Sequence, residues 1–455
     1  MANLIKSGAG KKVFFGVLIF LLLILSSAAV YLSTLLPIIT GYSAKNMGSA
    51  VFVSGRTPAE VDATDLNFSF IKFAKDNVDY SDSSVSSSFL WGRSKSINRE
   101  DFGVTLVRKT KESAIREVDF PAIPPPGYSK DTIQWPLGDI VPDTLTGINR
   151  ETLTKISGKL IDENGYGGNA FAFMVLHKGI PVAEAYKPQF TKETRFLSWS
   201  MAKSFLNCMI GVLVMEGALN INEPNGLEAW QNDDRRNITL NDLMRMQSGL
   251  KWNEDYGNRS DVTVMLHCKK DMAGFAIDFP LEAPVGSSFK YSSGTANIIS
   301  YLIRRHFNDD DQYYAFPYEK LFYKIGITDA VFETDPSGTY VGSSYLYATA
   351  RDYARFALLY QQDGIFNGER ILPEGWVKYT REPVPSGNGQ YGSLFWLHGV
   401  GEVPSAPDDI FMCQGHDGQR IFIMPSQELI VVVLGYSPKG TLDFNRLIED
   451  ILGTI

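Results

Sequence analysis

A serine hydroxyl is a poor nucleophile at neutral pH, so a chain that uses one must carry a group able to take its proton. Four places in this 455-residue sequence set a lysine three positions after a serine: Ser69/Lys72, Ser200/Lys203, Ser248/Lys251 and Ser287/Lys290. On a helix, positions i and i+3 share a face, so such a pair meets where the serine opens a helix. Of the four, Ser200-Met201-Ala202-Lys203 follows a strand hairpin and runs into a long apolar helical pattern, Met201–Glu216. Ser248 is followed by Gly249, a poor residue for a helix interior, and Ser69 lies in an irregular stretch. Burial of the Lys203 amine at an apolar helix start would lower its pKa and let it act as a base, while the helix N–H groups face any anion formed there. The chemistry expected is nucleophilic attack by Ser200. No G-x-S-x-G elbow occurs, which argues against an α/β-hydrolase.

Further along come Tyr291-Ser292-Ser293-Gly294 and Gly415-His416-Asp417-Gly418-Gln419. The order S-x-x-K, then a Tyr motif, then H-x-G resembles the serine β-lactamase and penicillin-binding-protein superfamily. The resemblance is to its class-C-like branch, which includes 6-aminohexanoate-dimer hydrolases and related esterases. It is carried by Phe196–Ser204, Gln247–Tyr256, Tyr291–Gly294, Ala350–Phe356 and Ile371–Trp376, and runs from about Trp135 to the end.

The resemblance implies an α+β fold of the β-lactamase/transpeptidase type, with an antiparallel sheet flanked by helices and a mainly helical insertion. It implies that Ser200 is the nucleophile, Lys203 its base and Tyr291 the proton relay to the leaving group. The N–H groups of Ser200 and Gln419 would form the oxyanion hole, with Gly418 allowing a close strand approach, and Tyr256 would approach the scissile group. Ser293 stands where many β-lactamases have Asn, and His416 where they have Lys. Both of those groups help hold an anionic β-lactam, so these substitutions bear on the substrate more than on catalysis. A small amide or ester is the expected substrate, cleaved through an acyl-enzyme with no cofactor or metal. Two other readings stay open: a peptidoglycan D,D-peptidase or β-lactamase, and a penicillin-binding sensor that is acylated without turnover.

The elements that must position these groups follow from periodicity. Phe171–His177 and Pro181–Tyr186 read as a hairpin around Lys178-Gly179. Asn241–Met246, Ala296–His306 and Ala350–Gln362 carry helical spacings. Tyr391–Leu397, Gln419–Met424 and Glu428–Leu434 read as strands, and Leu442–Leu452 as a closing amphipathic helix. Strands at both ends with helices between argue for one sheet built from both termini. The hydrolase domain is expected over 143–455, behind an irregular segment over 41–142 that holds a Ser/Asp cluster at Ser81–Ser88 and four prolines within Pro121–Gly127. Trp199, Trp252 and Trp396 are expected as pocket walls or core, and His177, His267, His306 and His398 as surface or core residues.

Ahead of these lies a membrane signal. Lys6, Lys11 and Lys12 precede Val13–Ala44, which contains no charged residue. The apolar part, 13–40, exceeds the roughly 20 residues a spanning helix needs. The lysine asymmetry places residues 1–12 in the cytoplasm and the rest outside. A cleaved signal peptide ending near Ser26–Ala29 is the other reading; it would leave the protein secreted or periplasmic. A net charge of −8 gives nucleic acid no cationic face to bind. Cys208 reads as a core residue, and a Cys268–Cys413 disulfide is left open.

Overall fold

The computed structural model describes residues 8–144 and 146–455. Lys6, and with it most of the expected cytoplasmic segment 1–12, lies outside the described residues. Gly8–Phe52 form one continuous helix, α1, about 68 Å long at 1.5 Å per residue. It is the one helix among the described residues long and apolar enough to cross a bilayer. Val13–Leu25, Val30 and Tyr31 expose their side chains, whereas burial begins at Leu36. The sequence places irregular chain after Gly41, yet the helix continues to Phe52. Gly41 marks a close approach between elements and not an end: a Cβ there would lie 3.0 Å from the His267 carbonyl oxygen. On either side of it, Thr40, Ser43, Lys45, Asn46 and Ser49 are all buried against protein.

Against one side of this helix packs a four-stranded antiparallel meander: β1 (Lys75–Asp79), β2 (Ser84–Phe89), β3 (Gly92–Arg99) and β4 (Gly103–Leu106). The irregular reading of 41–142 missed this sheet for a physical reason. Its helix-facing side is lined partly by serines, so it shows no apolar alternation. Ser94 shares a 2.6 Å hydrogen bond with Thr40, and Ser96 donates to the Ala44 carbonyl at 2.6 Å. Ser84, Ser87, Ser94 and Ser96 are buried beside Val85 and Ile97.

The larger part of the chain begins with helix α2 (Arg150–Ile161) and the hairpin β5 (Ala170–His177) and β6 (Ile180–Tyr186). The short strand β7 (Phe196–Leu197) leads into helix α3 (Ala202–Met215). After it come α4 (Asp261–Cys268), α5 (Ser293–His306), β8 (Val331–Phe332), β9 (Leu346–Ala348), α6 (Ala350–Gln361) and the small hairpin β10 (Ile365–Phe366) and β11 (Glu369–Arg370). The chain closes with β12 (Trp396–Leu397), β13 (Phe411–Gln414), β14 (Arg420–Met424), β15 (Leu429–Gly435) and α7 (Phe444–Leu452). Six of these strands form one antiparallel sheet in the order β12-β13-β14-β15-β5-β6. N-terminal and C-terminal strands thus meet at the β5–β15 pair, as the sequence predicts. Side chains alternate across it: Ala172, Met174, Leu176, Ile430, Val432 and Leu434 join the core with α3 and α6. Phe173, Val175, Leu429, Val431 and Val433 join the one with α2 and α7. Burial on both faces explains the unbroken apolar runs of these two strands.

The expected strand over 391–397 shrinks to β12, because Tyr391 turns back to bridge Trp396. All three cysteines are free thiols, so there is no Cys268–Cys413 disulfide, and Cys208 is buried in the core of α3 as expected.

Candidate active site

Ser200 sits at the junction of a strand and a helix. β7 pairs with β9, the Ser198 N–H bonds the Leu346 carbonyl at 2.8 Å, and Trp199–Met201 makes one tight turn before α3 begins. Trp199 has φ 45°, a left-handed conformation that a bulky residue adopts only when its surroundings hold it there. Its buried indole is held by Tyr42 of α1, which stacks at 6.4 Å, and by Tyr345 at 6.4 Å. Deeper in α3, Ser204 donates to the Leu394 carbonyl, and Asn207 receives the Tyr360 hydroxyl at 2.6 Å and the Trp376 indole at 2.9 Å. These bonds fix the helix that carries Lys203.

Lys203 is fully buried, and its amine donates to three neutral oxygens: Ser200 Oγ at 2.9 Å, Ser293 Oγ at 3.1 Å and the Ser343 carbonyl at 2.9 Å. Two of these partners can only accept. A carbonyl has no hydrogen, and Ser293 spends its hydroxyl hydrogen on Glu254 Oε1, 2.5 Å away. When the amine is neutral, its two hydrogens therefore stay on Ser293 and Ser343, and its lone pair faces the Ser200 hydroxyl. Burial pulls the Lys203 pKa down to about 8, against a smaller opposing pull from the charge of Glu254.

Tyr291 lies beside the pair, with the Lys203 amine 4.8 Å from its ring centre. Burial first, and the Glu254 charge second, push its phenol well above 10, while a hydrogen bond with Ser200 pulls the other way. The phenol therefore keeps its proton at neutral pH. Trp396 packs along this ring at 5.2 Å. Ser293 is completely buried as the first residue of α5, beneath the lysine.

Glu254 was missed by the sequence reading. Its carboxylate receives the Ser293 N–H at 2.9 Å, the Trp252 indole at 2.5 Å and the Tyr256 hydroxyl at 3.2 Å, besides the Ser293 hydroxyl. Trp252, Glu254 and Tyr256 are the less exposed positions of 251–256, alternating with exposed Lys251, Asn253 and Asp255. That period of two was the available signal.

Tyr256 stacks on His416 at 5.5 Å, and the His416 ring meets the edge of Trp199 at 5.5 Å. Gly418 has φ 84°, and a Cβ there would lie 2.8 Å from Ser437 Cβ, so only glycine lets this turn lie against the chain after β15. Gln419 is buried. Its side chain is clamped to the backbone of Gly435 (2.6 and 3.0 Å), and its own N–H makes only a long 3.4 Å bond to the His416 carbonyl. The other Ser/Lys pairs do not meet. Lys290 pairs with Glu282, Ser287 donates to the Pro284 carbonyl, and Ser248 accepts from the Leu250 N–H.

A family model of beta-lactamases matches residues 160–452. The chain is similar to a 6-aminohexanoate-dimer hydrolase of Paenarthrobacter ureafaciens, at 23% identity over 296 residues, 59% of this chain and 72% of that protein. Among solved structures it is similar to a Bacillus anthracis protein assigned as a 6-aminohexanoate-dimer hydrolase, with TM-score 0.54 and 21% identity over 74% of this chain and 86% of that one. It is also similar to EstCE1, a hydrolase with promiscuous acyltransferase activity, with TM-score 0.53 and 12% identity over 67% and 98% of the two chains. With well over half of its length matched by the one family model, the protein belongs to the beta-lactamase family.

Proposed function

We propose that the protein is a serine hydrolase that cleaves amide or ester bonds through an acyl-enzyme on Ser200. The observation that carries this reading is the hydrogen-bond bookkeeping around Lys203, which leaves the lone pair of the neutral amine aimed at the Ser200 hydroxyl. In the proposed reaction, Ser200 Oγ attacks the acyl carbon as its proton passes to Lys203. The oxyanion is held by the N–H groups of Ser200 and Gln419. The phenol of Tyr291 then protonates the departing amine or alcohol and recovers its proton from Lys203; water attacks the acyl-enzyme as its proton passes to Lys203, and that proton returns to Ser200 Oγ as the acid leaves. A fluorophosphonate probe should label wild type, with the adduct mapped to Ser200 by mass spectrometry, and Ser200→Ala should take up none. Labelling that persists in Ser200→Ala defeats the assignment.

The 6-aminohexanoate-dimer hydrolases among the similar proteins favour an amide or ester, the family model carries the β-lactamase name, and the side chains around the Ser200–Lys203 pair weigh for the former. Tyr256, Tyr291 and Trp396 set aromatic rings around the Ser200–Lys203 pair, and His416 stacks on Tyr256 where a lysine would offer a free cation. Short p-nitrophenyl esters should be hydrolysed, and cephalosporins turned over more slowly by orders of magnitude. Efficient nitrocefin hydrolysis without esterase activity would restore the β-lactamase reading, and acylation by penicillin with neither turnover would favour the sensor. The proposal includes retention of α1 as a single membrane anchor, with the lysine end in the cytoplasm and the hydrolase domain outside.

A further inference from the structure

The meander against α1 ends in an unusual hairpin tip. Phe89 pairs with Gly92, so Leu90 and Trp91 are the two loop residues between β2 and β3. Two-residue hairpin loops favour Asn-Gly, Asp-Gly or Gly-Gly, because they require positive φ and face water. Here Leu90 takes φ 50° and is 55% exposed, and Trp91 is 54% exposed. Nearby, Phe73 stacks on Phe89 and is 53% exposed, and Phe70 is 62% exposed. A folded protein in water gains nothing from a large aliphatic and an indole at an exposed, conformationally strained tip.

The position of this tip explains it. Gly92 packs against Leu36, and the Trp91 indole donates to Ser33 Oγ at 3.1 Å. Ser33 and Leu36 lie where α1 passes from fully exposed apolar side chains to burial in protein. The apolar residues thus form a collar at the level where the helix leaves the bilayer, the depth at which tryptophan rings are enriched. Lys72, Lys75 and Arg93 are exposed on the same end of the meander, and among the described residues none of them forms an ion pair. They suit the phosphates of a headgroup layer.

We infer that Phe70, Phe73, Leu90 and Trp91 bed into the lipid headgroup layer of the membrane that α1 crosses. This rests on the reading of α1 as a retained span. The collar then fixes the height of the catalytic site. Tyr42, which holds Trp199 beside the nucleophile, stands nine residues above Ser33, or about 14 Å along the helix.

Of the seven tryptophans, Trp91 alone is exposed, so it can be read without labels. The full chain is reconstituted into phosphatidylcholine vesicles whose acyl chains carry bromine close to the headgroup. Integration is checked by flotation after a carbonate wash, and p-nitrophenyl ester turnover checks folding in each variant. The expected result is tryptophan quenching by the brominated lipid in wild type, most of which disappears in Trp91→Phe. Vesicle-integrated protein whose quenching is the same in wild type and Trp91→Phe would overturn the collar and leave the span intact. Protein that does not float would overturn both. Trp91 shielded from aqueous iodide yet untouched by lipid bromine would mean that a protein partner covers the tip, and the lipid assignment would fall.

Discussion

Among the described residues two lysines are buried almost completely, Lys45 and Lys203, and their surroundings differ in charge. Lys45, on α1, donates to the carboxylate of Glu333 and to Ser49 Oγ, and lies 4.0 Å above the ring of Tyr345. Glu333 also accepts the Val104 N–H at 2.7 Å and the Ser49 hydroxyl at 2.9 Å, so one ion pair ties α1, β4 and the chain after β8 together. Lys203 donates to three neutral oxygens, and the one carboxylate in its neighbourhood, Glu254, reaches it only through Ser293. A buried amine on a carboxylate is a clamp between the elements that carry the two charges. A buried amine on neutral oxygens gives its proton up cheaply, which is what a base requires.

The largest effect should come from Lys203→Met. Turnover of an ester substrate should fall by a factor on the order of 10² to 10⁴, the usual contribution of a general base. Stability should not fall with it. The folded pKa of about 8 lies below the ordinary 10.5, so at neutral pH the fold carries the cost of a buried charge, worth about 3 kcal/mol. Between about 8 and 10.5 the unfolded chain holds more of this proton, so the contribution of Lys203 to stability rises with pH across that window. Removing the amine relieves the cost, and the urea midpoint of Lys203→Met at pH 7 should match or exceed that of wild type. A midpoint well below wild type would break the contrast between the two lysines.

Lys45→Met should do the reverse. It leaves Glu333 buried without its partner, which costs about 3–5 kcal/mol of stability, while turnover per folded molecule stays near wild type. The double variant Lys45→Met/Glu333→Met should recover most of the loss, because the stranded charge is gone. A single variant costing under about 1 kcal/mol would place this ion pair with ordinary surface pairs.

The two sites were not equally legible in the sequence. Ser200, Lys203, Tyr291 and the His416–Gln419 turn are residue types whose spacing has few uses, and the structure sets the first three side by side with the His416 ring against Trp199, next to Ser200. The sheet between β5 and β15 was legible because its strands are apolar on both faces. The α1–meander unit was not, because its contacts are polar: Thr40 on Ser94, Ala44 on Ser96, Ser43 on Asp76. Buried hydrogen bonds leave no hydropathy pattern, so residues 41–106 looked like irregular chain. Glu254 escaped for a related reason. A charged residue in a polar loop looks solvated until its four donors are seen.

The smallest effect concerns that residue. The rate should rise with pH as Lys203 loses its proton, giving kcat/KM a limb near pH 8. Glu254 is the charge that opposes burial at Lys203, since its negative field favours the ammonium form. Glu254→Gln removes that field and keeps the shape, so the limb should move to lower pH. The amide offers one acceptor oxygen where the carboxylate offered two to the Ser293, Trp252 and Tyr256 donors, so the plateau rate should also drop. Position and height of the profile therefore separate the two roles. Altered packing would lower the plateau and leave the midpoint alone, whereas the loss of a charge coupled to Lys203 moves the midpoint. A limb that stays in place, or moves upward, in Glu254→Gln would show that the Glu254 charge is not coupled to the group whose titration sets the rate.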